Sequence, residues 1–223
     1  MGSMNYRFTN RTGGASTGAF ASANLGFHVG DNPEQVAQNR EQLFEEFGPV
    51  AFMTQVHGDR VAVVEDVSDV DPTADALVTG IPGIALAVQV ADCIPLLLIS
   101  SQSVAAVHVG RKGLVNEVTL RALEVMREMG ASDIRAVIGP AICGVCYEVS
   151  EEIFAEVTTL HPAAASKSAR GNRALDLPKA LVQVLKAQNI EAEIAGGCTV
   201  ETSDLYSYRR DGVTGRQAGL VWL

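Results

Sequence analysis

Three near-continuous apolar runs form the centre of the sequence, at residues 84–90, 96–99 and 104–108. Runs of this kind predict strands that are covered on both faces. Asp92 and Cys93 stand between the first two runs, and the third run ends in a histidine. Polar residues at the ends of buried strands predict a site at one edge of a sheet.

Weaker patterns along the chain alternate between strand and helix. Strands are predicted at 6–9, 50–57, 61–64, 76–79, 134–138, 190–195 and 217–222. Helices are predicted at 33–47, 114–129, 151–160 and 178–188. The first helix has Asn32 as its N-cap and Pro33 at its first position. Gly58 and Asp59 predict a hairpin between the strands at 50–57 and 61–64, and the acidic segment 65–75 predicts a surface loop.

Several of these strands are joined by loops too short for a parallel crossover. We therefore expect an α/β (α+β) fold of mixed β-sheets flanked by helices, in a single domain at residues 4–223. Residues 1–3 precede a second methionine and are expected to be a cloning remnant outside the fold.

Composition excludes several classes of function. The net charge of -9 argues against sequence-independent binding of nucleic acid, which needs clustered Lys and Arg. The apolar runs are too short to span a membrane. The absence of a signal-peptide pattern makes the cytoplasm the expected location. Four cysteines in such a chain are expected to be free thiols rather than a disulfide framework.

His57, Cys93 and His108 each follow an apolar run, and we interpret them as ligands of one metal ion. Two imidazoles and a thiolate are typical zinc ligands, and three protein ligands leave a fourth position free for catalysis. Copper could occupy the same ligands. The spacing is far wider than in a zinc finger, so three unrelated buried residues are the alternative. Cys93 could also be a nucleophile with either histidine as its base.

Residues beside these ligands are candidates for proton transfer and stacking. Asp92 precedes Cys93, and Glu148 is a second candidate acid or base. Tyr147 offers a stacking surface. The Cys143-Gly144-Val145-Cys146 sequence is a CxxC that lacks the second CxxC of a structural zinc site, so we interpret it as a loop near the site.

Two short segments carry cationic groups suited to phosphate or carboxylate. Tyr208, Arg209 and Arg210 share one predicted turn, although a solvated surface turn is an equal alternative. Arg111 and Lys112 follow His108 at the expected mouth of the metal site. In a chain of net charge -9, such a gathering would indicate an anionic substrate.

A series of short motifs runs in order through nearly the whole chain. They are Asn24-Leu25-Gly26, Gln55-Val56-His57-Gly58, Ala74-Asp75-Ala76-Leu77-Val78-Thr79, Ala91-Asp92-Cys93-Ile94-Pro95, Ala106-Val107-His108, Cys146-Tyr147-Glu148-Val149 and Ser207-Tyr208-Arg209-Arg210-Asp211-Gly212. This set resembles the laccase-domain proteins, also described as the multicopper polyphenol oxidase family, whose members are usually named purine nucleoside phosphorylases.

The resemblance implies a zinc ion on His57, Cys93 and His108, and a fold likened to a cysteine-hydrolase toxin domain. It implies phosphorolysis of adenosine, inosine and methylthioadenosine, with adenosine deamination as a further activity. Other members are described as copper-dependent phenol oxidases or as editors of peptidoglycan precursors. Asn24, in the first motif, is then expected to contact substrate.

One departure from the family pattern affects substrate binding. The family usually has Trp-Arg where this chain has Arg111 and Lys112. The aromatic group is lost, and a lysine cannot hold phosphate with two parallel hydrogen bonds as arginine can.

We therefore expect a zinc-dependent purine nucleoside phosphorylase that takes a nucleoside and phosphate and acts as a monomer or homodimer, without a nucleic acid or membrane partner. The alternatives are a Cys93-dependent amidase acting on a cell-wall precursor, a copper-dependent polyphenol oxidase, and a non-enzymatic zinc-binding module.

Overall fold

The computed structural model describes residues 5–68 and 70–223, so the expected cloning remnant at 1–3 lies outside the described residues. The strands within these ranges are β1 (Tyr6–Phe8), β2 (Val50–Ala51), β3 (Val61–Val63), β4 (Ala76–Thr79), β5 (Ala85–Val90), β6 (Ile94–Ile99), β7 (Val104–Val109), β8 (Arg135–Ile138), β9 (Ala165–Lys167), β10 (Arg173–Leu175), β11 (Ala192–Ile194) and β12 (Gln217–Val221). The α-helices are α1 (Pro33–Phe47), α2 (Arg111–Val115), α3 (Val118–Glu128), α4 (Glu151–Leu160), α5 (Leu177–Ala187) and α6 (Tyr208–Asp211).

The larger sheet has six strands in the order β11-β8-β6-β7-β4-β3. Its four central strands are antiparallel, and Leu97 of β6 lies opposite Ala106 of β7. The two edge strands, β3 and β11, each pair in parallel with their neighbours. The smaller sheet has four strands in the order β1-β12-β5-β2, with β2 parallel to β5. The mixed sheets expected from the sequence are therefore confirmed.

The two sheets pack face to face between helices, which gives four layers. Side chains alternate along β6, so that Leu96 and Leu98 pack with the helices while Leu97 and Ile99 pack against the smaller sheet. All four side chains are at most 5% exposed. The apolar runs of the sequence are thus continuous because both faces of these strands are covered. Replacing one of these leucines with alanine is expected to cost about 2–5 kcal/mol of stability.

Helix α1 covers the outer face of the smaller sheet. Leu43 of this helix packs with Val50 and Leu220 of the sheet. The predicted capping is confirmed, because the side chain of Asn32 accepts a hydrogen bond from the backbone N–H of Glu34 and a proline opens the helix.

Three sequence predictions were wrong. The expected hairpin does not form, because β2 pairs with β5 in the smaller sheet while β3 pairs with β4 in the larger one. The strand at 50–57 is accordingly only Val50–Ala51. The helix expected at 114–129 is two helices, α2 and α3, separated where Glu117 adopts a left-handed conformation at φ 64°.

The chain crosses from the smaller to the larger sheet at two links that meet at one edge of the sandwich. One link joins β2 to β3 and contains His57, and the other joins β5 to β6 and contains Cys93. Among the described residues, no helix is long and apolar enough to cross a bilayer.

Candidate metal centre and its pocket

His57 lies on the link between β2 and β3, with its backbone in the left-handed region at φ 60°. The carboxylate of Asp75 accepts hydrogen bonds from the backbone N–H groups of Val56 (3.2 Å), His57 (2.9 Å) and Gly58 (2.7 Å). A non-glycine residue at positive φ costs about 1–3 kcal/mol unless its surroundings hold it. Asp75 therefore fixes the turn that presents His57. It is fully buried, so the surface loop expected at 65–75 ends before it.

His108 stands near the end of β7 and is 3% exposed. Its Nδ1 lies 2.8 Å from Oδ1 of Asp75, which leaves Nε2 to face the site. A carboxylate that holds one nitrogen of an imidazole in this way orients the other nitrogen toward a metal. The same carboxylate thus orients both histidines, a role that the sequence analysis did not identify.

Cys93 lies between β5 and β6, with its sulfur 3.9 Å from Nε2 of His57. Burial acts to raise the pKa of the thiol, but the charges and hydrogen bonds of His108 and His57 outweigh it and lower the pKa to about 6. Burial likewise opposes the protonated form of His108, but the Cys93 thiolate and Asp75 raise the pKa of His108 to about 9. Cys93 is therefore held as a thiolate, the form that binds a metal or attacks an electrophile.

Nε2 or Nδ1 of each histidine and the sulfur of Cys93 all lie within 4.8 Å of one another. The rings of His57 and His108 meet edge to face, with centroids 4.7 Å apart. Two nitrogens and one sulfur around a tetrahedral zinc ion would be separated by about 3.3–3.6 Å. The donor set therefore fits a metal ion after shifts of less than about 1 Å in side-chain position.

Gly110 provides the space that this cluster needs. A Cβ atom at this position would lie 2.9 Å from the sulfur of Cys93 and 3.3 Å from Cδ2 of His57. A larger residue would therefore press on two of the three donors at once.

Asp92 precedes Cys93 and also has a positive φ, at 95°. One carboxylate oxygen accepts hydrogen bonds from the hydroxyl groups of Thr199 (2.6 Å) and Ser207 (2.7 Å). The other accepts one from the backbone N–H of Arg209 (2.6 Å). Asp92 thus ties the Cys93 link to the segment that contains α6, which makes it a positioning residue by its contacts.

A cavity of about 490 Å³ opens above the three donors. Its volume is in the range of small-molecule sites. Tyr147, Tyr208 and Arg209, which the sequence analysis proposed as substrate-binding residues, line this cavity. The guanidinium of Arg209 lies 5.0 Å from the centre of the Tyr147 ring and donates to the carbonyl of Glu148 at 2.8 Å.

The other proposed substrate residues do not line the cavity. Asn24 is buried behind it, where its side chain accepts from the backbone N–H of Arg216. Arg210 donates to backbone carbonyls of the 199–205 segment. The side chain of Lys112 is exposed on α2. The carboxylate of Glu148 accepts from Asn172 at 3.2 Å, on the side of the β9–β10 hairpin.

Arg111, one of the two cationic residues expected at the mouth of the site, lines the cavity. The cavity also contains polar residues that the sequence does not single out as substrate-binding: His28, Gln55, Gln89 and Arg216. The amide of Gln55 makes two 2.8 Å hydrogen bonds with the backbone of Gln89, and so continues the pairing of β5 beyond the end of β2. Partial burial, together with the charges of Arg216 and Arg40, lowers the pKa of His28 and favours its neutral form.

The signal for Arg111 is present in the sequence, because this arginine belongs to the cationic segment that follows His108. No pattern in the sequence analysis indicates His28, Gln89 or Arg216. The start of α2 decides which of the adjacent residues Arg111 and Lys112 faces the cavity. The helix predicted from 114 begins too late to show this, because α2 begins at Arg111.

Comparison with known proteins agrees with this geometry. Residues 5–223 match the model of a family described as multi-copper polyphenol oxidoreductase laccase. The chain is 44% identical over 234 residues to a purine nucleoside phosphorylase of Streptomyces griseus, covering 100% of this chain and 95% of the relative. It is 42% identical over 229 residues to a purine nucleoside phosphorylase of Corynebacterium glutamicum, covering 97% and 93%.

Solved structures share the fold. The crystal structure of a Neisseria meningitidis protein of the DUF152 family matches with a TM-score of 0.90 and 37% identity, covering 98% of this chain and 94% of that one. A Bacillus licheniformis hypothetical protein, YfiH, matches with a TM-score of 0.89 and 31% identity, covering 97% and 91%.

Proposed function

This chain belongs to the multi-copper polyphenol oxidoreductase laccase family, and from that premise we propose that it is a zinc-dependent purine nucleoside phosphorylase. Relatives at 42% and 44% identity over nearly the whole chain carry that name. The observation that carries the proposal is the meeting, in one cavity, of a His–Cys–His donor set with three guanidinium groups and two phenol rings.

Arg111, Arg209 and Arg216 are the groups that would hold phosphate. All three line the cavity in a chain whose net charge is -9. Arg111 is partly neutralised by Glu156, whose carboxylate lies 2.6 Å away. Within residues 5–68 and 70–223, the guanidinium groups of Arg209 and Arg216 have no carboxylate at ion-pairing distance. Guanidinium groups without a carboxylate partner are well suited to a phosphate anion.

Tyr147 and Tyr208 are the groups that would contact the purine. Both rings line the cavity and offer a flat surface for stacking. Burial and the nearby Cys93 thiolate raise the pKa of Tyr147. The phenol therefore keeps its proton and can donate a hydrogen bond to the base as it leaves.

The metal is proposed to be zinc on His57, Cys93 and His108, because imidazole and thiolate suit it and three protein ligands leave a position for a reactant. Copper is the alternative for the same donors. A bound zinc ion would supply Lewis-acid chemistry beside the reacting atoms.

In phosphorolysis a phosphate oxygen bonds to C1′ of the ribose while the bond from C1′ to N9 of the purine breaks. The bonding electrons pass to the purine, which takes up a proton. The arginines would orient the phosphate, and exclusion of water by the cavity walls would favour phosphate over water as the nucleophile. The products are the free base and ribose 1-phosphate.

The test is an assay for the free base with adenosine or inosine as substrate, run with and without phosphate and before and after chelation. We expect release that requires both phosphate and the metal. Release that proceeds equally without phosphate, or no release from metal-loaded protein, would overturn the proposal. Metal analysis of the same sample distinguishes zinc from copper.

Adenosine deamination, the further activity implied by the resemblance, needs a group that moves protons at C6. The two carboxyl groups proposed for it, Asp92 and Glu148, are engaged in hydrogen bonds to Ser207, Thr199 and Asn172. We therefore expect inosine formation from adenosine to be slower than phosphorolysis, which the same assay measures.

A Cys93-dependent hydrolase is a second candidate, supported by one arrangement. Cys93, His108 and Asp75 form a thiolate–imidazole–carboxylate series of the kind used in nucleophilic catalysis. This candidate predicts hydrolysis of an amide substrate that survives chelation and is lost in Cys93→Ser. The phosphorylase proposal predicts that chelation abolishes turnover.

A further inference from the structure

A second cluster of side chains that could hold a metal ion lies outside the cavity, on two short turns. Cys143 and Cys146 stand on the turn that follows β8, and Cys198 and Glu201 stand on the turn that follows β11. One donor atom from each of the four residues lies within 4.8 Å of the others. The sequence offers no second CxxC to complete a zinc site, but the fold brings a Cys-x-x-Glu to the first one instead.

Both turns present their two donors in the same way. The backbone N–H of Cys146 donates to the carbonyl of Cys143 at 3.1 Å, and that of Glu201 donates to the carbonyl of Cys198 at 3.2 Å. Each hydrogen bond closes a turn whose first and last side chains point to one side. Two such turns facing each other form the usual frame of a structural zinc site, in which ligands are paired at short spacing.

The backbone around the cluster is fixed before any ion binds. Thr199 donates its backbone N–H to the carbonyl of Ala141 at 3.2 Å, which joins the two turns. Gly144, inside the CxxC, packs so closely that a Cβ there would lie 2.6 Å from Cβ of Asp176. The four donors are therefore brought together by the fold and not by chance contact of mobile side chains.

The distance between the Cys146 sulfur and the Glu201 carboxylate suits two ligands of one ion. The sulfur of Cys146 lies 3.7 Å from Oε1 of Glu201, whereas a tetrahedral zinc ion separates a sulfur and an oxygen ligand by about 3.5 Å and two sulfurs by about 3.8 Å. The four cysteines form no disulfide in the structure. A disulfide between two of the three sulfurs of this cluster would also leave the third cysteine and the carboxylate unused.

The electrostatics agree with this assignment. The backbone N–H of Cys143 donates to the sulfur of Cys198 at 3.4 Å. Burial acts to raise the pKa of Cys198, but backbone hydrogen bonds outweigh it and lower the pKa. Burial and the neighbouring sulfurs raise the pKa of Cys146.

We propose that Cys143, Cys146, Cys198 and Glu201 bind a zinc ion in a closed, structural site separate from the cavity. The site would clamp the wall of the cavity, since Tyr147 follows Cys146 in the chain and Thr199 donates to Asp92. The carboxylate favours zinc over copper(I), which prefers sulfur alone.

The test is metal analysis of protein purified under reducing conditions without added chelator, with serine variants of one cysteine from each site. Wild type is expected to contain two zinc ions per chain. Cys198→Ser and Cys93→Ser are each expected to retain one ion, and the double variant is expected to retain none. Wild type and Cys198→Ser with equal zinc content would overturn the second site.

The same set separates this proposal from the proposed function. One ion in wild type that is lost in Cys93→Ser and kept in Cys198→Ser overturns the second site alone. One ion that is lost in Cys198→Ser and kept in Cys93→Ser supports the second site and removes the metal from the proposed active site.

A measurement on wild type alone guards against misfolded variants. Native protein is treated with an alkylating reagent before and after chelation, and the modified cysteines are located by mass spectrometry. We expect Cys143, Cys146 and Cys198 to be protected until the metal is removed. Equal labelling in both samples, or a disulfide within the cluster, would overturn the proposal.

Discussion

The two cysteine-containing clusters use similar donors in opposite settings. At the cavity, His57, Cys93 and His108 come from links and strand ends that are far apart in the chain, and a cavity of about 490 Å³ lies above them. At the second cluster, four donors come from two short turns, and none of them lines that cavity. Three ligands beside a cavity suit catalysis, whereas four ligands on facing turns suit structure.

The two clusters also differ in the groups that hold their donors in place. Asp75 orients both histidines of the cavity site with one carboxylate, so that the donors are set by a side chain. Backbone hydrogen bonds within and between the turns set the donors of the second cluster. Both clusters contain cysteine, so cysteine alone does not separate a catalytic from a structural role. The two roles are distinguished by the number of donors and by whether the donors line the cavity.

The comparison is tested most severely by exchanging one sulfur in each cluster. Cys93→Ser is expected to reduce phosphorolysis to background, because the serine hydroxyl does not replace a thiolate ligand. Cys146→Ser is expected to lower the melting temperature and to leave the ion at the cavity in place. Activity assays, thermal unfolding and metal analysis on both variants check this. Loss of turnover from Cys146→Ser with an unchanged melting temperature would contradict the division of roles.

Asp75→Asn tests whether one carboxylate orients the cavity site. The amide cannot accept all the hydrogen bonds that Asp75 accepts from His57, Gly58 and His108, so metal affinity or activity should fall about 10–100-fold. A zinc-competition titration measures this loss. Asp66→Asn, the same change at an exposed position, is the matched control. Equal affinities of the two variants would exclude the orienting role.

Gly110→Ala tests the space beneath the cavity site. The added Cβ would press on Cys93 and His57, and overpacking of this kind typically costs about 1–3 kcal/mol. We expect weaker zinc binding at the cavity and no change at the second cluster, measured by metal titration in the Cys198→Ser and Cys93→Ser backgrounds. If Gly110→Ala binds zinc as tightly as the protein with Gly110, the donors do not require the absence of a side chain at this position.

The smallest effect is expected at the mouth of the cavity. Arg111→Ala should raise the KM for phosphate by roughly fivefold, about 1 kcal/mol, since Glu156 already offsets part of its charge. Lys112→Ala should produce a smaller increase, because only the arginine lines the cavity. Steady-state kinetics with phosphate as the varied substrate compare the two. A larger increase in KM from Lys112→Ala than from Arg111→Ala would show that the lysine is the residue that contacts phosphate.

The three donors that the fold brings together at the cavity are predictable from the sequence, because they stand at the ends of apolar runs. The sequence analysis also located α1, whose cap and first proline are local signals. It did not identify Asp75 as the common partner of both histidines, since a hydrogen bond to backbone N–H groups leaves no trace in residue pattern. The hairpin prediction failed for a related reason, because the partners of β2 and β3 lie in different sheets.

The second cluster shows the same limit more clearly. The CxxC was visible, but Cys198 reaches it only because β11 pairs with β8 and aligns the turns that follow them. Spacing along the chain could not indicate that pairing. In the same way, the side of α2 that faces the cavity, and hence the choice between Arg111 and Lys112, depended on a helix start that periodicity had misplaced.

The central claim is that two imidazoles and one thiolate share a single ion at the cavity. The most direct test is X-ray absorption spectroscopy of the Cys198→Ser protein loaded with one equivalent of zinc. The account predicts one sulfur at about 2.3 Å and two imidazole nitrogens at about 2.0–2.1 Å, with a light atom completing the shell. A shell with two or more sulfurs, or with no sulfur, would contradict it.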